Sequence, residues 1–195
     1  MTDYAWPADI CPSSSSLAWL DNTAVFKSPL SGTTRTLSRP GGRWRQTLTI
    51  ANLQDQPTIE AFAFRLNGAE HRAIIPDFAY RRKGAGGGTP RVNGASQTGL
   101  SLATDGWPNN TLVLVAGDRI GVSGQMLVVV SNATSNGSGQ ATLALAHPIR
   151  TAPSNDALIE IDAPTARYYL TNAAGLSAEP GIFKTILLEF EEAIP

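Results

Sequence analysis

The short spacing between turn-forming residues constrains the fold of this chain more than any other feature. Glycine occurs 18 times and proline 13 times in the sequence. The apolar stretches between them mostly have about four to eight residues and are rich in Val, Ile, Leu and Thr. Segments of this length suit β-strands and are too short for most helices. The sequence therefore predicts a fold that is mainly β.

Length and charge favour one domain, with room for an insert, that associates with other copies. A chain of 195 residues is long enough for one core and a small inserted module. Charged residues make up 16% of it, with 15 basic and 16 acidic side chains. A surface with so few charges and almost no net charge favours self-association. The absence of a basic excess argues against wrapping nucleic acid.

Cysteine content and hydropathy exclude two further classes. Because Cys11 is the single cysteine, the chain cannot form an internal disulfide or a multi-cysteine zinc or iron–sulfur site. No apolar run approaches the roughly 20 residues that cross a bilayer, and the first residues lack a basic start followed by an apolar segment. We therefore expect assembly in the cytoplasm, with no membrane partner.

The first part of the chain predicts strands followed by one helix. An irregular N-terminal arm is expected through residues 13–16, anchored by Trp6 and Trp19. Strands are predicted near residues 24–28 and 33–37, separated by a turn. Residues 43–50 form a strand pattern in which successive side chains point to opposite faces. One face, expected to meet a core, carries Trp44, Gln46, Leu48 and Ile50. The other face, expected to point outward, carries Arg43, Arg45, Thr47 and Thr49.

A helix is predicted over residues 57–66. Asp55 is placed to cap it, Pro57 suits its first turn and Gly68 follows its end. Its apolar stripe consists of Ile59, Phe62, Ala63 and Leu66. A strand follows over residues 70–78, and Pro76 is expected to mark an edge of the sheet or the end of that strand.

The second part of the chain predicts an inserted module. Residues 81–96 are rich in Gly and basic residues and are expected to form a mobile loop. Short strands follow at regular spacing, which indicates a small antiparallel barrel or sandwich; they are predicted near residues 99–103, 111–115, 119–122, 125–131, 140–145 and 157–161. Two more strands, residues 167–170 and 182–190, close the chain, and the last is expected to pair with the first sheet. The predicted division is residues 1–80 plus 163–195 for the main domain and 81–162 for the insert.

Residues that could perform chemistry are scattered. His71 and His147 lie far apart in sequence, and neither has a motif that would supply an orienting partner. Glu189, Glu191 and Glu192 fit a solvated or interface-facing strand edge. The run 84–88 lacks the strand before and the helix after that a phosphate-binding loop needs. The sequence predicts no enzyme activity, no cofactor and no metal.

Several segments in order resemble the tail proteins of long-tailed bacteriophages. The resemblance covers about residues 18 to 192, and its motifs are mostly turn residues. It is carried by residues 26–33 (FKSPLSGT), 43–45 (RWR), 66–68 (LNG), 92–99 (VNGASQTG), 116–120 (AGDRI), 139–143 (GQATL), 147–150 (HPIR) and 187–191 (LLEFE).

The resemblance implies a distal tail protein or a related baseplate ring subunit. Such a protein has a tail-tube-like β-sandwich or barrel and forms a ring of about six copies in the virion tail tip. The implied partners are the tail tube protein, the baseplate hub and the receptor-binding or tail fibre proteins, with DNA passing through the lumen. The family has no catalytic residues to carry over.

Three sets of residues are candidate sites under this reading. Phe62, Phe64 and Leu66 are predicted to pack the helix and are candidates for the oligomer interface, and Phe64 is expected to face a neighbouring copy because it lies off the apolar stripe. Arg43 and Arg45 are predicted to face a neighbour or the lumen. Arg81, Arg82 and Lys83 are candidates for contact with the lumen or with phosphate.

Two other functions remain open on sequence grounds. A carbohydrate-binding β-module is the main alternative, in which Trp107 would stack on a sugar ring, although a loop tryptophan more often anchors a turn. A hydrolase of unknown type is the second alternative.

Overall fold

The fold is mainly β with one short helix, as the sequence predicts. In the computed structural model the described residues are 1–37, 39, 41–52, 54–172 and 185–194. Fifteen strands and one α-helix lie within these ranges. The elements of the first part are β1 Asp3–Ala5, β2 Ser14–Leu20, β3 Ala24–Lys27, β4 Thr34–Leu37, β5 Arg43–Ile50, α1 Gln56–Arg65 and β6 Arg72–Pro76.

The second part contains the remaining strands. They are β7 Arg91–Val92, β8 Gly99–Asp105, β9 Leu112–Leu114, β10 Arg119–Val122, β11 Gln125–Val128, β12 Ala133–Thr134, β13 Ala141–Ile149, β14 Thr165–Leu170 and β15 Ile186–Glu192. The predicted start of the last strand, residues 182–184, lies outside the described residues.

One six-stranded sheet forms the framework of the protein. Its strand order is β1-β6-β14-β15-β5-β2, and all neighbours are antiparallel except β1 and β6. The prediction of an irregular N-terminal arm is therefore wrong, because β1 and β2 are the two edge strands. Serine has little intrinsic preference for strands, and β2 forms because its backbone pairs with β5 across the whole of its length. Pro76 ends β6, which is an inner strand.

Strand β5 shows the predicted alternation. Trp44, Gln46, Leu48 and Ile50 are buried, whereas the intervening side chains are half-buried or exposed. Its partner β15 pairs Leu188 with Leu48, so the last strand joins the first sheet as predicted. One face of the sheet therefore covers a core and the other face is open.

Helix α1 packs its apolar stripe on the covered face. Ile59, Phe62, Ala63 and Leu66 are all buried there, as predicted. Pro57 lies in the first turn, and Asp55 is the N-cap residue, but its side chain makes no capping hydrogen bond. The Asp55 carboxylate accepts a hydrogen bond from Asn52 Nδ2 at 2.9 Å, and the Asp55 carbonyl accepts the N–H of Ile59 at 3.0 Å.

A second core lies within residues 92–161. It buries side chains of several small sheets, among them Leu102, Val113, Ile120 and Leu143. The sheets have two or three strands each, β10-β11, β12-β9 and β13-β8-β7. No sheet of the described residues closes into a barrel. Residues 157–161 are not a strand as predicted, because they make only isolated bridges through Leu158 and Glu160.

Two ion pairs join the second core to the sheet. Arg119 pairs with Asp77, whose side chain is fully buried. Arg150 pairs with Glu192, which is also buried. The Glu192 carboxylate further accepts the N–H of Trp44 at 3.1 Å. The exact domain boundaries predicted from sequence stay a prediction.

Candidate functional site

A two-stranded hairpin, β3–β4, extends from the end of the edge strand β2. The two strands pair with each other from Ala24–Leu37 to Lys27–Thr34. Neither pairs with any other strand among the described residues. An isolated two-stranded hairpin is marginally stable in water. The hairpin therefore has the form of an element that is completed by a partner.

The hairpin exposes large apolar side chains. Phe26 is 57% exposed, Leu37 is 51% exposed and Leu30, in the connecting turn, is 98% exposed. The pairing register places Phe26 opposite Arg35 and Ala24 opposite Leu37, so Phe26 and Leu37 share one face. Apolar groups of this size in one small element mark a contact surface more often than a free surface.

The open face of the six-stranded sheet carries a cluster of charged and polar groups centred on Glu191. Arg43 Nε lies 2.9 Å from the Glu191 carboxylate, Arg45 Nη2 lies 2.5 Å from it, and the Tyr169 hydroxyl donates to it at 2.8 Å. Burial alone would raise the pKa of Glu191, but these donors and charges outweigh it and lower the pKa. Glu191 therefore stays ionised and holds both arginines on this face.

Helix α1 also has an exposed side. Phe64 is 70% exposed. The prediction that Phe62 and Leu66 contribute to an interface is wrong, because both side chains are buried in the core. Beside the helix lies a groove of about 390 Å³ between α1 and the N-terminal strand β1. It is lined by Tyr4, Ala5, Pro7, Thr58, Ala61, Phe62 and Arg65. The guanidinium of Arg65 lies 4.9 Å from the centre of the Tyr4 ring.

The basic, glycine-rich loop is docked on the second core, contrary to the prediction of a mobile loop. The backbone N–H groups of Lys83 and Gly84 each donate to the Asp118 carboxylate at 2.9 Å. Gly86 N donates to the carbonyl of Val113 at 2.8 Å. Composition suggested a segment unable to pack, but its backbone is held by one buried carboxylate.

Asp118 is the centre of this arrangement. Its side chain also accepts the N–H of Val115 at 2.9 Å and the hydroxyl of Tyr80 at 3.1 Å. Burial alone would raise the pKa of Asp118, but the backbone and hydroxyl donors outweigh it and lower the pKa. Burial raises the pKa of Tyr80 to about 12, so the hydroxyl keeps its proton and donates.

We expect Gly84→Ala to destabilise the protein by about 2 kcal/mol, the usual cost of overpacking. A Cβ on Gly84 would lie 2.4 Å from the Val113 carbonyl oxygen and 2.6 Å from the Leu114 Cα. Urea unfolding followed by tryptophan fluorescence measures the effect. Gly137→Ala is the matched control, since the nearest atom to its new Cβ is 3.9 Å away. Equal stabilities of the two variants would contradict the docked loop.

Two of the three basic candidates, Arg81 and Arg82, contact groups of the same chain. Arg81 Nη1 donates to the carbonyl of Tyr80 at 2.7 Å, and Arg82 pairs with Asp162. The Lys83 residue is exposed. Contact of these three residues with a lumen or with phosphate stays a prediction.

Trp107 is not placed to stack on a ligand. The residue is 4% exposed and lies within the second core, and its Nε1 donates to Thr104 Oγ1 at 2.8 Å. The structure thus corrects the sugar-stacking role and gives Trp107 the role of an anchor. A buried ring offers no face to a sugar, which is why the predicted stacking role does not hold.

The histidines and cysteine are dispersed. His71 packs edge-on against Tyr4, His147 stacks on Trp19 with ring centres 3.7 Å apart, and Cys11 is exposed with a free thiol. Burial, assisted by the charge of Arg150, lowers the pKa of His147. Within the described ranges, no three His, Cys, Asp or Glu side chains form a group that could hold a metal ion. No helix in that part of the chain is long and apolar enough to span a membrane.

Comparison with known proteins gives no relative from which a function could be transferred. No model of a known protein family matches the sequence, and no curated protein matches it. Neither comparison therefore supplies a function for this chain.

Two features of the structure were not predicted from the sequence, the groove beside α1 and the role of Asp118 in holding the loop. The Gly-Asp turn at residues 117–118 was a visible signal for Asp118, since such a carboxylate often accepts nearby backbone N–H groups. The groove had no sequence signal, because its walls are more than fifty positions apart in the chain.

Proposed function

We propose that the protein is a structural subunit that assembles with copies of itself, as a ring component of a bacteriophage tail tip. The observation that carries the proposal is the β3–β4 hairpin, which exposes Phe26, Leu30 and Leu37. A soluble single-copy protein gains nothing from holding such a hairpin in water, whereas an assembling subunit uses it as a contact arm.

The six-stranded sheet supports a ring. Its edge strands β1 and β2 lie at opposite sides of the sheet, so neighbours can approach both edges around an axis. The open face, with Arg43 and Arg45 held by Glu191, would then line the lumen. A polar lining with fixed charges suits the passage of DNA better than an apolar one.

Neighbouring tail components are part of the same proposal. The resemblance to phage tail proteins implies the tail tube on one side of the ring and the hub or receptor-binding proteins on the other. The second core, held to the sheet by the Arg119–Asp77 and Arg150–Glu192 pairs, would contact one of them. The carbohydrate-binding alternative loses the residue on which it rested, because Trp107 is buried.

Shortening the hairpin tests the proposal. We expect replacement of residues 25–36 by a short Gly-Ser linker to leave a folded single copy, since these side chains are mostly exposed. Mass photometry and negative-stain microscopy of the intact protein should show rings. Thermal unfolding serves as the control for folding, and Leu100→Ser, at an exposed leucine of β8, should leave the rings intact. An intact protein that stays a single copy at high concentration would contradict the proposal.

A further inference from the structure

We propose that a pocket at the base of the β3–β4 hairpin binds a neutral saccharide. The pocket has a volume of about 390 Å³, within the usual range of small-molecule sites. It lies where β2 and β5 lead into the hairpin, beside the end of β13. Its walls include Trp19, Asp21, Arg39, Gly42, His147 and Arg150. The site does not depend on whether copies of the chain assemble.

Trp19 differs from the other three tryptophans of the chain. Trp6, Trp44 and Trp107 are buried, whereas Trp19 is half-buried and lines the pocket. Its ring stacks on His147, with ring centres 3.7 Å apart and 11° between the ring planes, and it meets the Trp44 ring at 73°. These contacts fix an aromatic surface against which the C–H groups of a sugar ring can pack.

The polar groups around this aromatic pair supply both donors and acceptors. Asp21 contributes a carboxylate, whose Oδ1 is held by the N–H of Thr23 at 3.2 Å and its hydroxyl at 2.9 Å. Arg39 is exposed and contributes guanidinium donors. Burial, assisted by the charge of Arg150, lowers the pKa of His147, so its imidazole is neutral at neutral pH and offers one donor and one acceptor. Sugar hydroxyls both donate and accept, and this set of groups suits them.

The balance of charge favours a neutral ligand over an anion. Arg150 pairs with the buried Glu192, so its charge is already compensated. Among the described residues that line the pocket, the other charged ones are Arg39 and Asp21, which have opposite signs. A phosphate or carboxylate would be attracted by one and repelled by the other, whereas hydroxyl groups can bond to both.

The pocket is held in shape by contacts within the chain. Arg150 Nη1 donates to the carbonyl of Gly42 at 2.8 Å, which ties the end of β13 to the start of β5. Glycine at position 42 lets the backbone lie against Trp19, because a Cβ there would be 2.5 Å from Cζ2 of the ring. A site that is formed in advance loses little entropy when a small ligand binds.

Titration with disaccharides tests the site in the full-length protein. The neutral probes are maltose, cellobiose, lactose and diacetylchitobiose, and the anionic comparison is digalacturonate. We expect at least one neutral probe to change the tryptophan fluorescence saturably and to give saturation-transfer NMR signals from its ring C–H protons. Asp21→Asn and Arg39→Gln should each weaken this binding about ten-fold. Arg35→Gln, at an exposed position of the hairpin, is the matched control and should leave it unchanged.

Thermal unfolding of each variant controls for folding. Absence of saturable binding by every neutral probe, whether or not digalacturonate binds, would overturn the proposal. Equal affinities of folded Arg39→Gln and Arg35→Gln would count against this pocket as the site. Mass photometry of the same samples keeps the result separate from self-assembly. Rings that bind none of the neutral probes would overturn the saccharide site alone, and a single copy that binds one would support the site and contradict the ring.

Discussion

Asp118→Ala should lower the free energy of unfolding by about 4 kcal/mol, since three backbone N–H groups and one hydroxyl lose their shared acceptor. The donors are Lys83, Gly84, Val115 and Tyr80, all within 3.1 Å of the carboxylate. The side chain is buried, so water cannot replace it without opening the loop. A loss of this size is a large part of the stability of an ordinary domain.

Urea unfolding measures the effect, and two comparisons make it specific. Asp162→Ala removes an exposed carboxylate that pairs with Arg82, and it should cost no more than about 1 kcal/mol. The lowered pKa of Asp118 means that its ionised form stabilises the fold above the ordinary value of 3.8. That contribution disappears as pH falls through the lowered value, so the difference between Asp118→Ala and the parent should narrow in acid. A difference independent of pH would argue against a charged acceptor.

Arg150→Met should destabilise the protein by about 3 kcal/mol at neutral pH, because it leaves the Glu192 carboxylate buried without its cation. Methionine keeps the apolar part of the side chain, which limits the loss of packing. Burial already raises the pKa of Glu192, and Arg150 is the largest influence that opposes this rise. In the variant the pKa of Glu192 should therefore be still higher.

The pH dependence of the stability of Arg150→Met shows whether the unpaired Glu192 carboxylate causes the loss. A raised pKa in the folded state means that the folded protein holds the proton more tightly than the unfolded chain. The variant should therefore recover stability as pH falls toward 4.5, the ordinary value for glutamic acid. Arg91→Met, which removes an exposed pair with Asp156, is the control and should show little loss at any pH. Loss of stability that stays constant with pH would indicate a packing defect instead.

Local sequence patterns predicted much of the fold. The alternation along β5 and the stripe of α1 both predicted the buried residues, since each depends on a period that the core selects directly. The N-terminal strands were missed because β1 and β2 form through pairing with β6 and β5, which no local signal encodes. Composition predicts a mobile loop over residues 81–96, because it describes what a segment can bury and says nothing about a carboxylate such as Asp118 that binds the backbone.

The candidate site was predictable in part. The exposure of Phe64 and the outward position of Arg45 follow from helix and strand periods. The burial of Trp107 and the groove beside α1 depend on how distant segments meet, so they required the structure. The exposed hairpin was predictable only in part. Its strands were predicted, but their separation from every other sheet was not.

The strand order of the main sheet has a consequence for biosynthesis. Of its six strands, the two central ones, β14 and β15, are synthesised after β1, β2, β5 and β6. The second core, residues 92–161, can thus form during translation before β5 and β6 have paired with β15 and β14. The sheet is complete only once β15 has paired with β5 and β14, so an unfinished chain lacks the framework from which the hairpin extends.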